Sequence, residues 1–375
     1  MDSEFTAMGT YKSGMAVAVF TDGFLWTYAV GDASATTPMT TSTPTLIRST
    51  SKTFLAALIL DLVEDGHFQL TDSLESVLSA DPDYSLLDPT TINGAVTVHE
   101  LLSMRSGIRP FAAGAGEENN LDLLWVVKKP SWKPVDTVGL IEDPWVEPGE
   151  YEYSDSNNFL LGMVAELHTG KDLSVLYRER FLDPLDIAAV LLPDEPVPEG
   201  TARPYTDLDY WGGSGFGDMI ELDRTRYGNT ADDWYEQDAR LAWATAGIVS
   251  TPANIARWGY ELYSGNGSAL SDQSRSVLLN SINEETISLA GQPQQYGYYV
   301  GRRTFPLEDG TLLSVLGHPG GGAGYTSRVY YSSRFDMSIS ILANSTVRYA
   351  RREGGCSEYG AVDCIAWELF KSYAD

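Results

Sequence analysis

The sequence contains very little cysteine and histidine. Its 375 residues include two cysteines, Cys356 and Cys364, and four histidines. Two cysteines are too few for a disulfide scaffold or a four-thiolate zinc site, and no two histidines are spaced four residues apart in a helix pattern. We therefore expect no metal site and no cofactor. A single disulfide and two free thiols both remain open.

Basic residues are also scarce, because 25 Lys and Arg face 52 Asp and Glu, for a net charge of −27. Nucleic-acid phosphates and anionic membranes need a basic face, so neither is an expected partner. The longest apolar run, around Phe54–Leu62, is far shorter than the roughly 18 residues of a membrane span. Met1–Thr10 is polar and does not resemble a signal peptide. We expect an extracellular or periplasmic location rather than a cytoplasmic one.

The two ends of the chain carry strand patterns. Met15–Phe20 and Phe24–Val30 flank an Asp-Gly turn, and Thr326–Tyr331 and Met337–Asn344 flank a second polar turn. Asp363–Tyr373 has the apolar spacing of a short amphipathic helix. We predict that both ends build one antiparallel sheet with a covering helix.

The middle of the chain carries helix patterns. Thr53–Gly66, Thr97–Ser103 and Asn157–Gly170 place apolar residues at helical spacing and end at or near a glycine. Residues 195–240 are rich in Pro, Gly, Asp and aromatic residues, which indicates a long loop or insertion.

These patterns predict an α/β (α+β) fold in one catalytic unit over residues 1–375. The sheet subdomain would come from residues 11–48 and 245–375. A mostly helical subdomain would come from residues 49–244.

Ser49-Thr50-Ser51-Lys52 is the one Ser-x-x-Lys sequence in the chain. Three residues make about one helical turn, so Ser49 and Lys52 would face the same side of the helix that follows. A serine at a helix N-terminus lies near unpaired N–H groups, and it could be a nucleophile or only a helix cap.

Two later segments could contribute to chemistry. Tyr153-Ser154-Asp155 precedes a predicted helix, and a tyrosine can carry a proton when a nearby ammonium lowers its pKa. Gly317–Gly324 has five glycines in eight residues, includes His318, and would let a ligand approach the backbone closely. An aromatic residue in a turn and a flexible hairpin connection are the structural alternatives.

The order Ser-x-x-Lys, Tyr-x-Asp, His-x-Gly resembles the serine β-lactamase and penicillin-binding protein superfamily. The closest resemblance is to the class C-like branch of D-alanyl-D-alanine carboxypeptidases, D-aminopeptidases and family VIII-type esterases. Flanking segments agree with it, among them Leu62–Gly66, His99–Ser103 and Ala246–Thr251. The resemblance spans about residues 14–370 and implies a β-lactamase-like fold, an antiparallel sheet flanked by helices plus a mostly helical subdomain.

The resemblance also implies roles for individual residues. Ser49 would attack the carbonyl and become acylated, while Lys52 and Tyr153 would take its proton and pass one to the leaving group. Backbone N–H groups of Ser49 and Gly321 would form the oxyanion hole. His318 would stand near the leaving group or the substrate carboxylate. Lys52 is expected in an electropositive, partly buried pocket that makes Tyr153 acidic.

Asp155 stands where relatives usually have Asn. An ionised Asp only accepts hydrogen bonds, whereas Asn also donates them. If Asp155 lies near Lys52, it could hold that lysine protonated and leave Tyr153 as the main base.

The substrate contacts are predicted less directly. His318 in the third motif resembles the D-peptide-directed relatives, and Arg302 could hold a substrate carboxylate or be an ordinary surface arginine. Trp243 could line the cleft or be a core aromatic. Asp155 and Gly320 complete the candidate substrate contacts.

The leading hypothesis is a serine hydrolase that opens amide bonds in D-amino-acid-containing peptides through an acyl-enzyme. The alternatives are a carboxylic ester hydrolase, a β-lactamase and a non-catalytic penicillin-binding homologue, the last supported by Asp155 alone among the motif residues. The expected partner is a small-molecule or peptide substrate, and the oligomeric state is open.

Overall fold

The computed structural model describes most of the chain, namely residues 13–111, 126, 129–207, 219–221, 231–322, 324–345 and 361–374. Met1–Thr10, Cys356 and part of the 195–240 segment lie outside the described residues. Cys364 is disulfide-bonded. Within the described ranges no helix is long and apolar enough to cross a membrane, and no three metal-ligating side chains converge.

The strands run through the whole chain, as β1 (Gly14–Thr21), β2 (Phe24–Ser34), β3 (Thr37–Pro38), β4 (Thr45–Leu46), β5 (Ala189–Leu191), β6 (Tyr205–Asp207), β7 (Met219–Glu221), β8 (Ile248–Ser250), β9 (Thr286–Leu289), β10 (Gln292–Tyr296), β11 (Gly301–Pro306), β12 (Leu312–Gly322), β13 (Tyr325–Ser332) and β14 (Met337–Ala343). The main sheet has the order β3-β2-β1-β14-β13-β12-β11-β10-β9, and every pair is antiparallel.

The N-terminal hairpin therefore joins the C-terminal strands, with Met15 opposite Ala343. Gly23 takes a φ of 77° in the turn between β1 and β2, a conformation that favours glycine. Strand β14 is buried along its whole length because both faces of the sheet are covered. The predicted single sheet built from both ends is confirmed.

The helices cover both faces of this sheet and fill the middle of the chain, as α1 (Lys52–Glu64), α2 (Leu74–Leu78), α3 (Val98–Leu102), α4 (Pro134–Val138), α5 (Ser156–Thr169), α6 (Leu173–Tyr177), α7 (Ala231–Ala246), α8 (Pro252–Tyr263), α9 (Asp272–Asn280) and α10 (Ala361–Ala374). The helices predicted in the middle correspond to α1, α3 and α5. The predicted C-terminal helix is α10, which packs Ile365 and Phe370 against Ile339 and Ile341 of the sheet.

Helix α1 is buried almost all round, from Lys52 through Leu60. Its apolar side chains share one core with α5, α8 and strand β13. A helix in this position places its N-terminal turn between the sheet and the helical region. The division into subdomains near residues 48 and 245 stays a prediction, since this core contains residues from both parts.

Candidate active site

The turn that carries Ser49 is a short 3-10 helix, Arg48–Ser51, that runs directly into α1. Arg48 has a φ of 50°, a conformation that costs a non-glycine residue on the order of 1 kcal/mol. Hydroxyl groups attach this turn to the sheet: Thr50 Oγ1 lies 2.7 Å from Ser327 Oγ, which donates to the Ile47 carbonyl at 2.5 Å. Residues before and after Ser49 thus attach its turn to strand β13.

Lys52 is fully buried one turn below Ser49. Its Nζ lies 2.9 Å from Ser49 Oγ, 3.0 Å from the Thr245 carbonyl oxygen and 2.8 Å from Asp155 Oδ1. It also lies 4.9 Å from the centre of the Tyr153 ring. An ammonium has three donors, and these three acceptors use all of them.

Asp155 directly precedes α5 as its N-cap residue, and 37% of its side chain is exposed. Its Oδ1 accepts a hydrogen bond from Thr245 Oγ1 at 2.6 Å in addition to the Lys52 ion pair. Burial acts to raise the Asp155 pKa, but the Lys52 charge and these hydrogen bonds leave it below its usual range. Burial lowers the Lys52 pKa, and the Asp155 charge only partly offsets this. The expected electropositive pocket is corrected, because a carboxylate pairs with its lysine.

Tyr153 completes this group, because its ring lies beside Lys52 and its phenol is near enough to Ser49 for that side chain to affect its pKa. Removal of the phenol from water raises its pKa well above the usual range, and the Asp155 charge raises it further. The nearby Ser49 side chain lowers the pKa, but by less. These effects favour the protonated phenol, and the role of Tyr153 as the main base stays a prediction.

His318 lies behind Tyr153, with ring centres 6.2 Å apart, and is fully buried. Its Nδ1 donates to the Pro319 carbonyl at 2.7 Å, so its Nε2 accepts from the Tyr296 hydroxyl at 2.8 Å. Burial, followed by the Lys52 charge, lowers its pKa to about 3. The expected position near a leaving group or substrate carboxylate is corrected, because both ring nitrogens are occupied and the neutral ring faces the protein interior.

The glycines of strand β12 pass close to the nucleophile turn. A Cβ on Gly320 would lie 2.2 Å from the Ile47 carbonyl oxygen and 3.1 Å from the Ser49 nitrogen, so only glycine fits there. Gly321 is exposed, and no atom lies within 4 Å of the place its Cβ would take. The predicted oxyanion pair therefore lies on adjacent backbone segments, and its role stays a prediction.

Two predicted substrate contacts do not join this group. Arg302 is half-buried on β11 and donates to Gln295 Oε1 at 3.4 Å, on the neighbouring strand. Trp243 is only 1% exposed, and its indole N–H donates to Asp194 Oδ2 at 3.4 Å. A Cβ on Gly162 would lie 2.7 Å from the Trp243 ring, which shows how closely the ring is packed. Trp243 is a core aromatic rather than a cleft residue.

Thr245 is the site residue that sequence reasoning missed. It contacts Lys52 with its carbonyl and Asp155 with its hydroxyl, and it is 1% exposed. The one available signal was its place directly before Ala246–Thr251, a segment that agrees with the family pattern. Nothing in its residue type indicates two such contacts.

The chain matches known proteins over most of its length. The Beta-lactamase family model matches residues 4–355. Penicillin-binding protein 4 of Amycolatopsis lactamdurans is 28% identical over 199 residues, which are 52% of this chain and 49% of that protein. The chain thus matches about half the length of this relative.

Two solved structures have a similar fold. D-amino acid amidase from Ochrobactrum anthropi SV3, complexed with D-phenylalanine, has a TM-score of 0.73 and 21% identity over 99% of this chain and 96% of that one. D-stereospecific amidohydrolase from Streptomyces sp. has a TM-score of 0.69 and 21% identity over 91% and 92% of the two chains. The predicted β-lactamase-like fold is confirmed. Since the family model matches most of the chain, the protein belongs to the Beta-lactamase family.

Proposed function

We propose that the protein hydrolyses amide bonds of D-amino-acid-containing substrates through an acyl-enzyme on Ser49. The observation that carries this proposal is the position of the Ser49 hydroxyl, 2.9 Å from Lys52 Nζ, which itself lies 4.9 Å from the centre of the Tyr153 ring. A hydroxyl between an amine and a phenol has both an acceptor for its proton and a donor for the leaving group. The similar fold of the D-amino acid amidase and the D-stereospecific amidohydrolase supports a D-amino-acid substrate.

The neutral form of Lys52 is the proposed base, because its Nζ contacts the nucleophile and burial lowers its pKa toward that form. The ammonium paired with Asp155 is the form that cannot accept a proton. As Ser49 Oγ bonds to the substrate carbonyl carbon, its proton moves to Lys52, and the ammonium so formed is stabilised by Asp155. Tyr153, whose raised pKa keeps it protonated, gives its proton to the leaving amine as the C–N bond breaks. The proton on Lys52 then restores the phenol.

Hydrolysis of the acyl-enzyme follows the same route with water as the nucleophile. Lys52, again a neutral amine, takes the proton of the attacking water, and Ser49 recovers its own proton as the ester bond breaks. Backbone N–H groups of Ser49 and Gly321 are the proposed donors to the carbonyl oxygen in both steps. His318 holds the Tyr296 hydroxyl and packs behind Tyr153, so its proposed role is to position the phenol.

The test is a labelled fluorophosphonate followed by a substrate panel. We expect the adduct at Ser49, and none in Ser49→Ala or Lys52→Met, whose folding is checked by circular dichroism. The panel compares D-phenylalanine amide, L-phenylalanine amide, p-nitrophenyl butyrate and nitrocefin. We expect turnover of the D-amide to exceed that of the L-amide. An adduct on another serine overturns the mechanism. If p-nitrophenyl butyrate is turned over but D-phenylalanine amide is not, the proposed amide substrate is wrong and the alternative, a carboxylic ester, takes its place.

An extracellular or periplasmic location is part of the proposal. Disulfides persist in oxidising compartments, and Cys364 is disulfide-bonded. Alkylation of the protein in freshly fractionated host cells, without reductant, tests this. We expect the protein outside the cytoplasmic fraction, with its cysteines unalkylated because they are in a disulfide. Protein with reduced, alkylated cysteines in the cytoplasmic fraction contradicts the proposal.

A further inference from the structure

Thr245 bridges the two charged residues beside Ser49. Its carbonyl oxygen accepts from Lys52 Nζ at 3.0 Å, and its hydroxyl donates to Asp155 Oδ1 at 2.6 Å. Its side chain is buried, so neither contact competes freely with water. The geometry therefore ties the base and its counter-ion to a single backbone position.

The backbone is bent just before Thr245. Trp243 has φ 17° and ψ −119°, which interrupts helix α7. Its indole is anchored on Asp194, and Gly247 fits against the Leu192 carbonyl, where a Cβ would lie 2.5 Å away. Thr245 lies in the last turn of α7, where carbonyl oxygens have no partner within the helix, and its carbonyl accepts from Lys52 instead.

Both donors converge on one carboxylate oxygen. The Thr245 hydroxyl and the Lys52 ammonium each contact Oδ1 of Asp155. A hydroxyl that donates to this oxygen fixes the rotation of the carboxylate, and hydrogen bonds to an ionised acceptor are stronger than those between neutral groups. The other charged or titratable groups that face this cluster are Arg48, Tyr153, Tyr299 and His318.

We infer that Thr245 is a positioning residue for the acylation of Ser49. Its hydroxyl aims the Asp155 carboxylate at Lys52, and its carbonyl holds Lys52 Nζ within 2.9 Å of the nucleophile. This inference rests on the proposed roles of Ser49 and Lys52.

The experiment compares Thr245→Val, which loses the hydroxyl but keeps the shape and the carbonyl, with Thr245→Ser, which keeps the hydroxyl. The readout is the rate at which a fluorophosphonate phosphonylates Ser49 with release of fluoride, measured across pH by stopped-flow or quench. We expect Thr245→Val to be phosphonylated roughly 10- to 100-fold more slowly at the pH optimum, as for loss of one bond to a charged group. We expect Thr245→Ser to recover to within about 3-fold.

The pH dependence of the rate distinguishes a positioning role of Thr245 from a general loss of structure. Asp155 raises the Lys52 pKa, so a carboxylate no longer aimed at Lys52 should move the rising limb of the phosphonylation rate to lower pH. Thr91→Val is the matched control, since Thr91 is a buried threonine whose hydroxyl donates locally to the Asp88 carbonyl. We expect it to leave both the rate and the limb unchanged.

An unchanged rate and limb in Thr245→Val overturn the inference, and so does an equal loss in the Val and Ser variants. The fluorophosphonate keeps this test separate from the substrate proposal. If the parent is phosphonylated at Ser49 but does not turn over D-amides, the proposed substrate fails while Thr245 is still tested.

Discussion

Lys52 Nζ lies 2.8 Å from Oδ1 of Asp155, so the lysine of the Ser-x-x-Lys motif is one half of an ion pair. Lys52 is fully buried, and a buried ammonium without a counter-charge is strongly unfavourable. An asparagine at this position would satisfy hydrogen bonds but would not supply the charge. The aspartate therefore supplies the buried Lys52 ammonium with a counter-charge.

Asp155→Asn is expected to move the acidic limb of the kcat/KM profile to lower pH. The Asp155 charge raises the Lys52 pKa against the larger effect of burial, so its removal lowers that pKa further, and the neutral base persists at lower pH. The profile is measured with a D-amino acid amide, with Asp186→Asn as the control because the Asp186 side chain is 99% exposed. If the acidic limb of Asp155→Asn lies at the same pH as that of the parent, Asp155 does not control the Lys52 pKa.

Tyr153→Phe is expected to separate amides from activated esters. An amine must be protonated as it leaves, whereas p-nitrophenolate leaves without a proton. If Tyr153 is the general acid, its loss lowers kcat/KM for the amide by about 10²- to 10⁴-fold and affects the p-nitrophenyl ester much less. Equal losses on both substrates would mean that the phenol positions Ser49 rather than donating a proton.

Part of the site is predictable from the sequence because Ser49 and Lys52 are close together along the chain. Ser49 and Lys52 are three residues apart at a helix start, and that spacing alone places them side by side. The strand pairs near the two termini are equally local, since short turns join them. Tyr153 could be assigned to the site only through the family resemblance, because nothing local brings a turn one hundred residues away close to Ser49.

The missed features depend on tertiary packing. His318 looks like a loop histidine beside glycines, but a tyrosine 22 residues earlier occupies its second nitrogen. Trp243 resembles a cleft aromatic until Gly162 packs against its ring. Thr245 contacts Lys52 and Asp155, which are 193 and 90 residues away in the sequence, and no residue pattern predicts these contacts.

Alanine should lower the stability of the protein at one of two adjacent glycines on β12 and have little effect at the other. In Gly320→Ala the added methyl meets the Ile47 carbonyl at 2.2 Å, which is backbone and cannot rotate away. We expect a loss of roughly 1–3 kcal/mol in stability and a displaced Ser49 turn with slower acylation. In Gly321→Ala the methyl meets open space, so the unfolding free energy should change by less than about 0.5 kcal/mol. Chemical denaturation measures both, and similar losses in the two variants would contradict the structure.

Glu166→Gln should stabilise the protein at high pH and leave its stability unchanged at low pH. Glu166 accepts a hydrogen bond from the Leu173 N–H at 2.8 Å, which Gln can also accept. Burial, followed by the charges of Asp194 and Asp172, raises its pKa to about 7. The folded protein therefore retains a proton that the unfolded chain loses above its ordinary pKa of 4.5. Because the unfolded state binds fewer protons in this window, stability falls as pH rises from about 4.5 to 7.

The glutamine variant has no such proton to lose, so its advantage should appear through that window and level off above it. We expect a gain on the order of 2 kcal/mol in unfolding free energy at pH 8 and none at pH 4. Urea denaturation at a series of pH values measures the difference between variant and parent. Glu284→Gln, at an exposed position, is the control and should show a flat difference. A flat difference for Glu166→Gln as well would mean that Glu166 is ionised in the folded protein near pH 5.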